Sequence, residues 1–325
     1  MDLSNIDTAM TTIQHITEVT KDINKKIPGK IEEVFERRFQ ERGEDDDDID
    51  LDAMKKSNLK NMVAIVKKLV NRTSGPFSPG VEPEDLTVLY KMQEMVSMIF
   101  SEGQTDLWKE LEAEGEDSVN LLTSVQDWSM SKLLESKATE KNIDLLMLSE
   151  NVATQSMKSP PKEIKKKHAP YMYFPDYALG DSDEPISIQS MYYNAYHKMA
   201  PIQNSITGLN ATGVFLDSRI INFNVKPTYD QTVLVSDPVI VFLEHQREKE
   251  KLLRGPSAEQ IDEPKIASRE CMRWSDTLEF PDSAKMGGWT IEGCARVNTT
   301  EFYTTCACDH LGMFALLALP PVPKR

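Results

Sequence analysis

The sequence predicts an α+β protein, an N-terminal helical subdomain followed by a C-terminal β-sandwich. Three observations predict it. Through residues 1–141 apolar residues recur at spacings of three and four, the period of an amphipathic helix. From about Asn142 the period drops to two, and short apolar runs alternate with turn residues. All four cysteines lie between 271 and 308, among the last of these runs. Helices first and strands afterwards give segregated α and β layers. The division is expected at 1–141 and 142–319, with 320–325 as a short connecting tail.

The helices follow from their apolar stripes. Ile6, Met10, Ile13, Ile16, Val19 and Ile23 make the first, with Ser4 or Asn5 as N-cap and Pro28-Gly29 as the stop. A second, residues 31–40, runs into "GEDDDDID" at 43–50, an acidic block that repels itself and reads as a loop. The third carries Leu59, Met62, Val63, Val66, Leu69 and Val70 and is broken by "SGPFSPG". The fourth begins near Pro83 as an N1 proline and carries Leu86, Leu89, Met92, Val96 and Ile99. The fifth, after Gly115, carries Val119, Leu122, Val125, Trp128 and Leu133. Methionines and aromatics on such faces read as core rather than as ligand contacts.

The strands follow from alternation. "IDLLMLSENV" is a β-type run, and "PYMYFPDYAL" is aromatic, extended and proline-punctuated. In "SRIINFNVKP", Ile221, Phe223 and Val225 alternate with Asn222 and Asn224. "DPVIVFLEH" is continuously apolar, as expected of a strand buried on both faces. "GGWTIEGC" and "CACDHLGMFALLAL" complete the series. Residues 247–270 are highly charged, contain Gly255-Pro256, and read as a long surface insertion.

Composition bounds the function. With 325 residues, 40% hydrophobic and 27% charged, the chain has the make-up of a soluble globular protein of one or two domains. No run approaches the roughly 20 apolar residues of a membrane helix. No basic start and apolar h-region follow Met1, so no signal peptide is expected, and the chain reads as cytosolic or as a piece of something longer. A net charge of −15 argues against nucleic acid as a partner, since phosphate binding needs a basic stripe. The one basic cluster, "KEIKKK" at 162–167, follows Pro160-Pro161 and reads as a solvated linker. Three Asn-x-Thr sequons stand at Asn71, Asn210 and Asn298. With the clustered, even-numbered cysteines they favour an extracellular origin. No cofactor is called for.

The stretch "TTCACDHLGMFALLA", 304–318, concentrates the chemistry. Cys306 and Cys308 are two apart on an expected strand, so they point to one face about 6.6 Å apart and do not pair with each other. Their partners are then Cys271 and Cys294, in either of two connectivities. A zinc site built on Cys306, Cys308 and His310 is the alternative, but it lacks the longer spacers that wrap such an ion.

Cys271-x-x-Trp274, Trp289, Gly293-Cys294, Thr305-Cys306-x-Cys308-x-His310-Leu311 and Phe314-Ala315-Leu316-Leu317 together resemble the GPCR proteolysis site (GPS) motif. That motif, here 271–318, closes the GAIN domain of adhesion G protein-coupled receptors and of polycystin-like proteins. "LDSRIINFNVKP" followed by "SDPVIVFLEH" is similar to the paired strands that precede it in the family. The resemblance implies the pairs Cys271–Cys306 and Cys294–Cys308, and no metal. The sequons Asn71, Asn210 and Asn298 are expected to be glycan acceptors on exposed loops, and Asn298, between Cys294 and Cys306, to sit in a hairpin turn. The resemblance also implies an ectodomain fragment of a plasma-membrane receptor, with 320–325 leading toward a membrane helix.

Members of this family cleave themselves at His-Leu/Ser or His-Leu/Thr. A hydroxyl after Leu311 would attack the Leu311 carbonyl with His310 as general base, passing the acyl group from nitrogen to oxygen as an ester that water hydrolyses. Here position 312 is Gly312, which has no hydroxyl, so His310, Leu311 and Gly312 are expected to be a vestigial site and the chain not to be an enzyme. With the other parts in place, Gly312→Thr is expected to restore partial cleavage. The resemblance further implies that Gly312, Met313, Phe314, Ala315, Leu316, Leu317 and Ala318 form a tethered agonist, with Phe314 and Leu317 at its main positions. "MFALLAL" is in any case too apolar to leave in water and is expected to be buried. The partners so implied are the protein's own seven-helix membrane domain, a heterotrimeric G protein indirectly, and an extracellular protein ligand. A polycystin-like context, or a binding scaffold without an agonist, is the alternative.

Overall fold

The computed structural model describes residues 11–12, 14–15, 51–73, 87–135, 143–160, 172–173, 183–202, 214–226, 238–247, 266–279 and 286–319. Within them helices precede strands, as the periodicity predicts. The helices are α1 (Leu51–Thr73), α2 (Thr87–Ile99), α3 (Thr105–Ala113) and α4 (Ser118–Glu135). Residues 11–12 and 14–15 are helical, within the first expected helix. The rest of that helix, the second helix, the acidic block, Pro83 and the basic 162–167 cluster lie outside the described residues.

The stripes of α1, α2 and α4 are buried as their spacing requires, with Leu59, Met62, Val66, Leu89, Leu122 and Leu133 all at 0–1% exposure. α3 is a helix the apolar spacing did not announce. "TDLWKELEA" buries only Trp108 and Leu111, too few for a periodic signal. The Trp108 indole stacks on Phe100 at 4.8 Å and donates to the Ile99 carbonyl at 2.9 Å, so one aromatic anchors the turn between α2 and α3. The Asp117 carboxylate accepts from the Asn120 amide at 2.8 Å and caps α4.

All strands pair antiparallel. They are β1 (Ile143–Leu148), β2 (Val152–Ser159), β3 (Met172–Tyr173), β4 (Ile186–Tyr193), β5 (Phe215–Leu216), β6 (Ile220–Lys226), β7 (Val239–Glu244), β8 (Ser268–Glu279), β9 (Met286–Thr290), β10 (Cys294–Thr299), β11 (Tyr303–Cys308) and β12 (Gly312–Leu319). The larger sheet runs β1-β2-β4-β6-β12-β8-β9, with β5 also on β12, and the smaller runs β10-β11-β7-β3. One apolar core lies between the helices and the larger sheet, the other between the two sheets.

α4 is the helix that joins the layers. Its Gln126 donates to the carbonyls of Gln189 and Asn222 at 3.3 and 3.5 Å and accepts from Asn224 at 2.7 Å. Lys158 from β2 donates to the Leu134 carbonyl at 2.9 Å, a cation at a helix C-terminus.

Two expectations about strands need correction. β7 is not buried on both faces: Val239, Val241 and Leu243 point inward, whereas Phe242 is 41% exposed. Its continuous apolar run reflects a strand whose outer face, among the described residues, no helix covers. The insertion read as 247–270 is shorter, because Ser268–Glu270 already belong to β8 and pair with Leu317–Leu319. Its charged residues there alternate on a strand rather than loop away.

A buried histidine gives the fold a pH dependence. His197, in a single 3-10 turn at Tyr196–Lys198, is held down to about 4 by burial, with Lys198 and Arg219 adding repulsion. Its folded pKa lies below the unfolded value of 6.5, so the unfolded chain binds the proton more readily in between. Stability from this group is full above the unfolded value and is lost as pH falls toward the folded one. Between about pH 7 and pH 5 the loss should be on the order of 2 kcal/mol. Denaturant melts of parent and His197→Gln should show a steeper acid slope in the parent. Parallel slopes would contradict it.

Candidate functional site

The motif residues gather around the β11–β12 junction and the strand that follows. Cys271–Cys306 joins β8 to β11 across the inter-sheet core, with Cα atoms 5.9 Å apart. Cys294–Cys308 joins register partners on β10 and β11, with Cα atoms 4.1 Å apart. No described cysteine is free. This removes the zinc alternative, because thiolates consumed in disulfides cannot bind a metal. Sequence separations of 35 and 14 residues correspond to about 4 and 3 kcal/mol of restricted unfolded-chain entropy. The strand leading into the junction is therefore pinned to both sheets.

The two motif tryptophans support the neighbouring edge. Trp274 and Trp289 meet edge to face at 5.5 Å, and Trp289 is 1% exposed. Gly293 has φ +76°, and its carbonyl accepts from the Asp309 amide at 2.8 Å. A Cβ there would stand 2.0 Å from Asp309 Oδ1 and 2.9 Å from His310 Nδ1, so only glycine lets the β9–β10 turn close on the junction. His310 Nδ1 is hydrogen-bonded to the Asp309 carboxylate, and both side chains are about a third exposed. Chemically this is an imidazole oriented by a carboxylate and open to water, next to Leu311, whose bond to Gly312 is the one in question.

Gly312 opens β12 with φ +125° and pairs with Phe223. No atom beyond its chain neighbours lies within 4 Å of where a Cβ would stand. The His310 ring is thus not placed against a side chain at 312. A β-branched residue is strained at that angle, which weighs against restoring cleavage with threonine.

β12 itself lies between β6 and β8 in the larger sheet. Met313 to Ala318 are each at most 3% exposed. Met313, Ala315 and Leu317 face the helix-side core, whereas Phe314 and Leu316 face the inter-sheet core. The apolar run is buried on both faces because both faces have a layer to bury against. Phe314 and Leu317 consequently point in opposite directions.

Two residues that sequence reasoning missed hold the strand's middle. The Leu316 amide donates to Ser218 Oγ at 2.8 Å, and the Leu316 carbonyl accepts from the Asp217 amide at 2.9 Å. Asp217, 1% exposed, accepts from Arg269 Nε at 2.6 Å and from the Arg247 amide at 3.0 Å. The signal was the polar pair Asp217-Ser218 set between apolar Phe215-Leu216 and Ile220-Ile221. Beside them His245, fully buried, donates from Nδ1 to the Glu301 carbonyl at 2.8 Å and accepts at Nε2 from the Thr304 hydroxyl at 2.9 Å.

The sequons sit differently from their expectation. Asn71 is exposed but lies in the last turn of α1, not in a loop, since the helix continues through Thr73. Asn298 is exposed on β10, just past a bulge, rather than in the hairpin turn, which falls at Thr300–Phe302. Asn210 lies outside the described residues.

A family of sequences described as "GPS: GAIN subdomain B" matches residues 120–321. The chain belongs to this family. The GAIN subdomain B match begins within α4, in keeping with that helix's hydrogen bonds to the larger sheet. Among relatives, human adhesion G protein-coupled receptor L1 is 24% identical over 110 residues, 34% of this chain and 6% of the receptor. Mouse adhesion G protein-coupled receptor B3 is 37% identical over 51 residues, covering 16% of this chain and 3% of that one. The chain thus spans under a tenth of the length of these relatives. The structure described as the full extracellular region of zebrafish Gpr126/Adgrg6 aligns with a TM-score of 0.47 at 14% identity, over 80% of this chain and 33% of that one.

Proposed function

We propose that this GAIN domain is part of the ectodomain of an adhesion receptor, that it does not cleave itself, and that β12 is its cryptic tethered agonist. The observation that carries the reading is the combination at β12. An apolar strand is buried on both faces, and the residue that opens it, Gly312, has neither a hydroxyl nor a base against it. The adhesion G protein-coupled receptors among its relatives supply the context, and the resemblance implies a seven-helix membrane domain beyond it. The strand would act on that domain, and through it on a G protein. An extracellular ligand or mechanical load would supply the trigger. In an uncleaved chain the agonist is exposed by local opening rather than by dissociation of a fragment. Among the described residues no helix is long and apolar enough to cross a membrane.

Intact mass under denaturing conditions tests the covalent part: a single full-length species is expected. Gly312→Thr should also stay in one piece, and should lose about 1–3 kcal/mol from the strained backbone. Release of a peptide beginning at position 312 from the parent protein would overturn this reading, whereas its release from Gly312→Thr alone would show that only the hydroxyl is missing.

A further inference from the structure

β10 is the edge strand of the smaller sheet, and its residues from Ala295 to Thr299 are all exposed. Which way each side chain points is set by the pleat of its neighbour. On β11, Cys306 and Cys308 face the inter-sheet core, so Tyr303, Thr305 and Ala307 face out. Asn298 is paired with Thr305, and Thr305 in turn with Phe242 on β7. Asn298, Thr305 and Phe242 therefore form one cross-strand row on the outer face, with ends about 10 Å apart, two inter-strand spacings.

That face is apolar for an outer surface, and Thr305 in the middle of the row is only 9% exposed. Phe242 is 41% and Tyr303 43% exposed, with Ile240 and Ala307 half-buried beside them. Along β7 and β11 its one charge is Glu244. Beside it, β10 presents an edge with Val297, at the bulge, 61% exposed. An apolar face next to an open edge strand invites pairing with another chain. The sequon Asn298-Thr299-Thr300 stands at the end of the row. An N-linked glycan is bulky and water-soluble, and the flat apolar faces of sugars pack on aromatic rings.

We propose that Asn298 carries an N-linked glycan whose first sugars lie over Thr305 and Phe242, closing the outer face and the β10 edge to other chains. This rests on the reading of the chain as a secreted ectodomain. The test uses the whole chain secreted from a eukaryotic host. Enzymatic glycan release in heavy-oxygen water followed by peptide mapping reads occupancy at each sequon. Size exclusion with light scattering then compares the glycosylated protein, the protein deglycosylated after folding, Asn298→Gln and Asn71→Gln.

Asn298 should be occupied, and its glycan's loss by either route should shift the protein to larger species. Phe242→Thr in the Asn298→Gln background should reverse that shift, and Asn71→Gln should not cause it. If Asn298→Gln is not secreted, enzymatic removal from the folded protein still decides. Sugar at Asn71 or Asn210 with none at Asn298 overturns this inference and leaves the secreted reading standing. No sugar at any sequon counts against that reading itself. An occupied Asn298 whose deglycosylation leaves the size unchanged, or a shift that Phe242→Thr does not reverse, shows that the glycan does not cover this face.

Discussion

Phe314→Ala should lower stability by about 3–5 kcal/mol in a denaturant melt, among the largest losses a single truncation gives. The ring is at 0% exposure in the inter-sheet core. Its backbone is flanked by Ile221 on β6 and Arg273 on β8, so neither neighbouring strand can move in to fill the space without breaking a ladder. The Cys271–Cys306 disulfide further limits collapse, because it ties the two sheets together across the same core. A cavity is therefore left, and its cost adds to the lost transfer energy. A change near zero would mean that β12 is not a core strand. If β12 is also the agonist, the same substitution in the whole receptor should lower signalling although it loosens the strand's seat.

The helix-then-strand order was legible because burial in this chain follows period. The described residues of the α1, α2 and α4 stripes are buried, and Ile221, Phe223 and Val225 of β6 share the inter-sheet core, although Asn222 on the other face is buried too, at 1% exposure. What escaped was whatever depends on a neighbour in space. α3 is held by one tryptophan reaching back to Phe100 and Ile99, and two buried residues make no period. β7 and β12 look alike as apolar runs, yet one has a bare outer face and the other is covered on both. Only the layer order separates them. At the junction, residue types were readable and backbone was not. The missing hydroxyl is visible in the letter G, but φ +125° at Gly312 is not, and that angle decides what threonine would do there. Asp217 and Ser218 were overlooked for the same reason, since their partners Leu316 and Arg269 lie 52 or more residues away.

Those two residues make the second large prediction. Asp217→Ala should cost about 3–5 kcal/mol, the usual penalty for removing one partner of a buried ion pair. It strips the Arg269 guanidinium of its carboxylate and the Arg247 amide of its acceptor, at a position only 1% exposed. Ser218→Ala should cost less, about 1–3 kcal/mol, by leaving the buried Leu316 amide without an acceptor. Hydrogen exchange should show where the stability was lodged, with the Leu316 amide and its β12 neighbours exchanging faster in both variants. Uniform acceleration across the helices instead would mean a global loss with no particular hold on β12. Under the proposed function the two large effects part company in the receptor. Asp217→Ala loosens β12 and leaves every side chain of the strand intact, so basal signalling should rise. Phe314→Ala loosens it and removes a side chain the membrane domain would bind, so signalling should fall. Equal destabilisation with opposite signalling is what an agonist held by a polar latch requires. If both variants moved signalling the same way, β12 would be a structural strand whose stability alone sets the output.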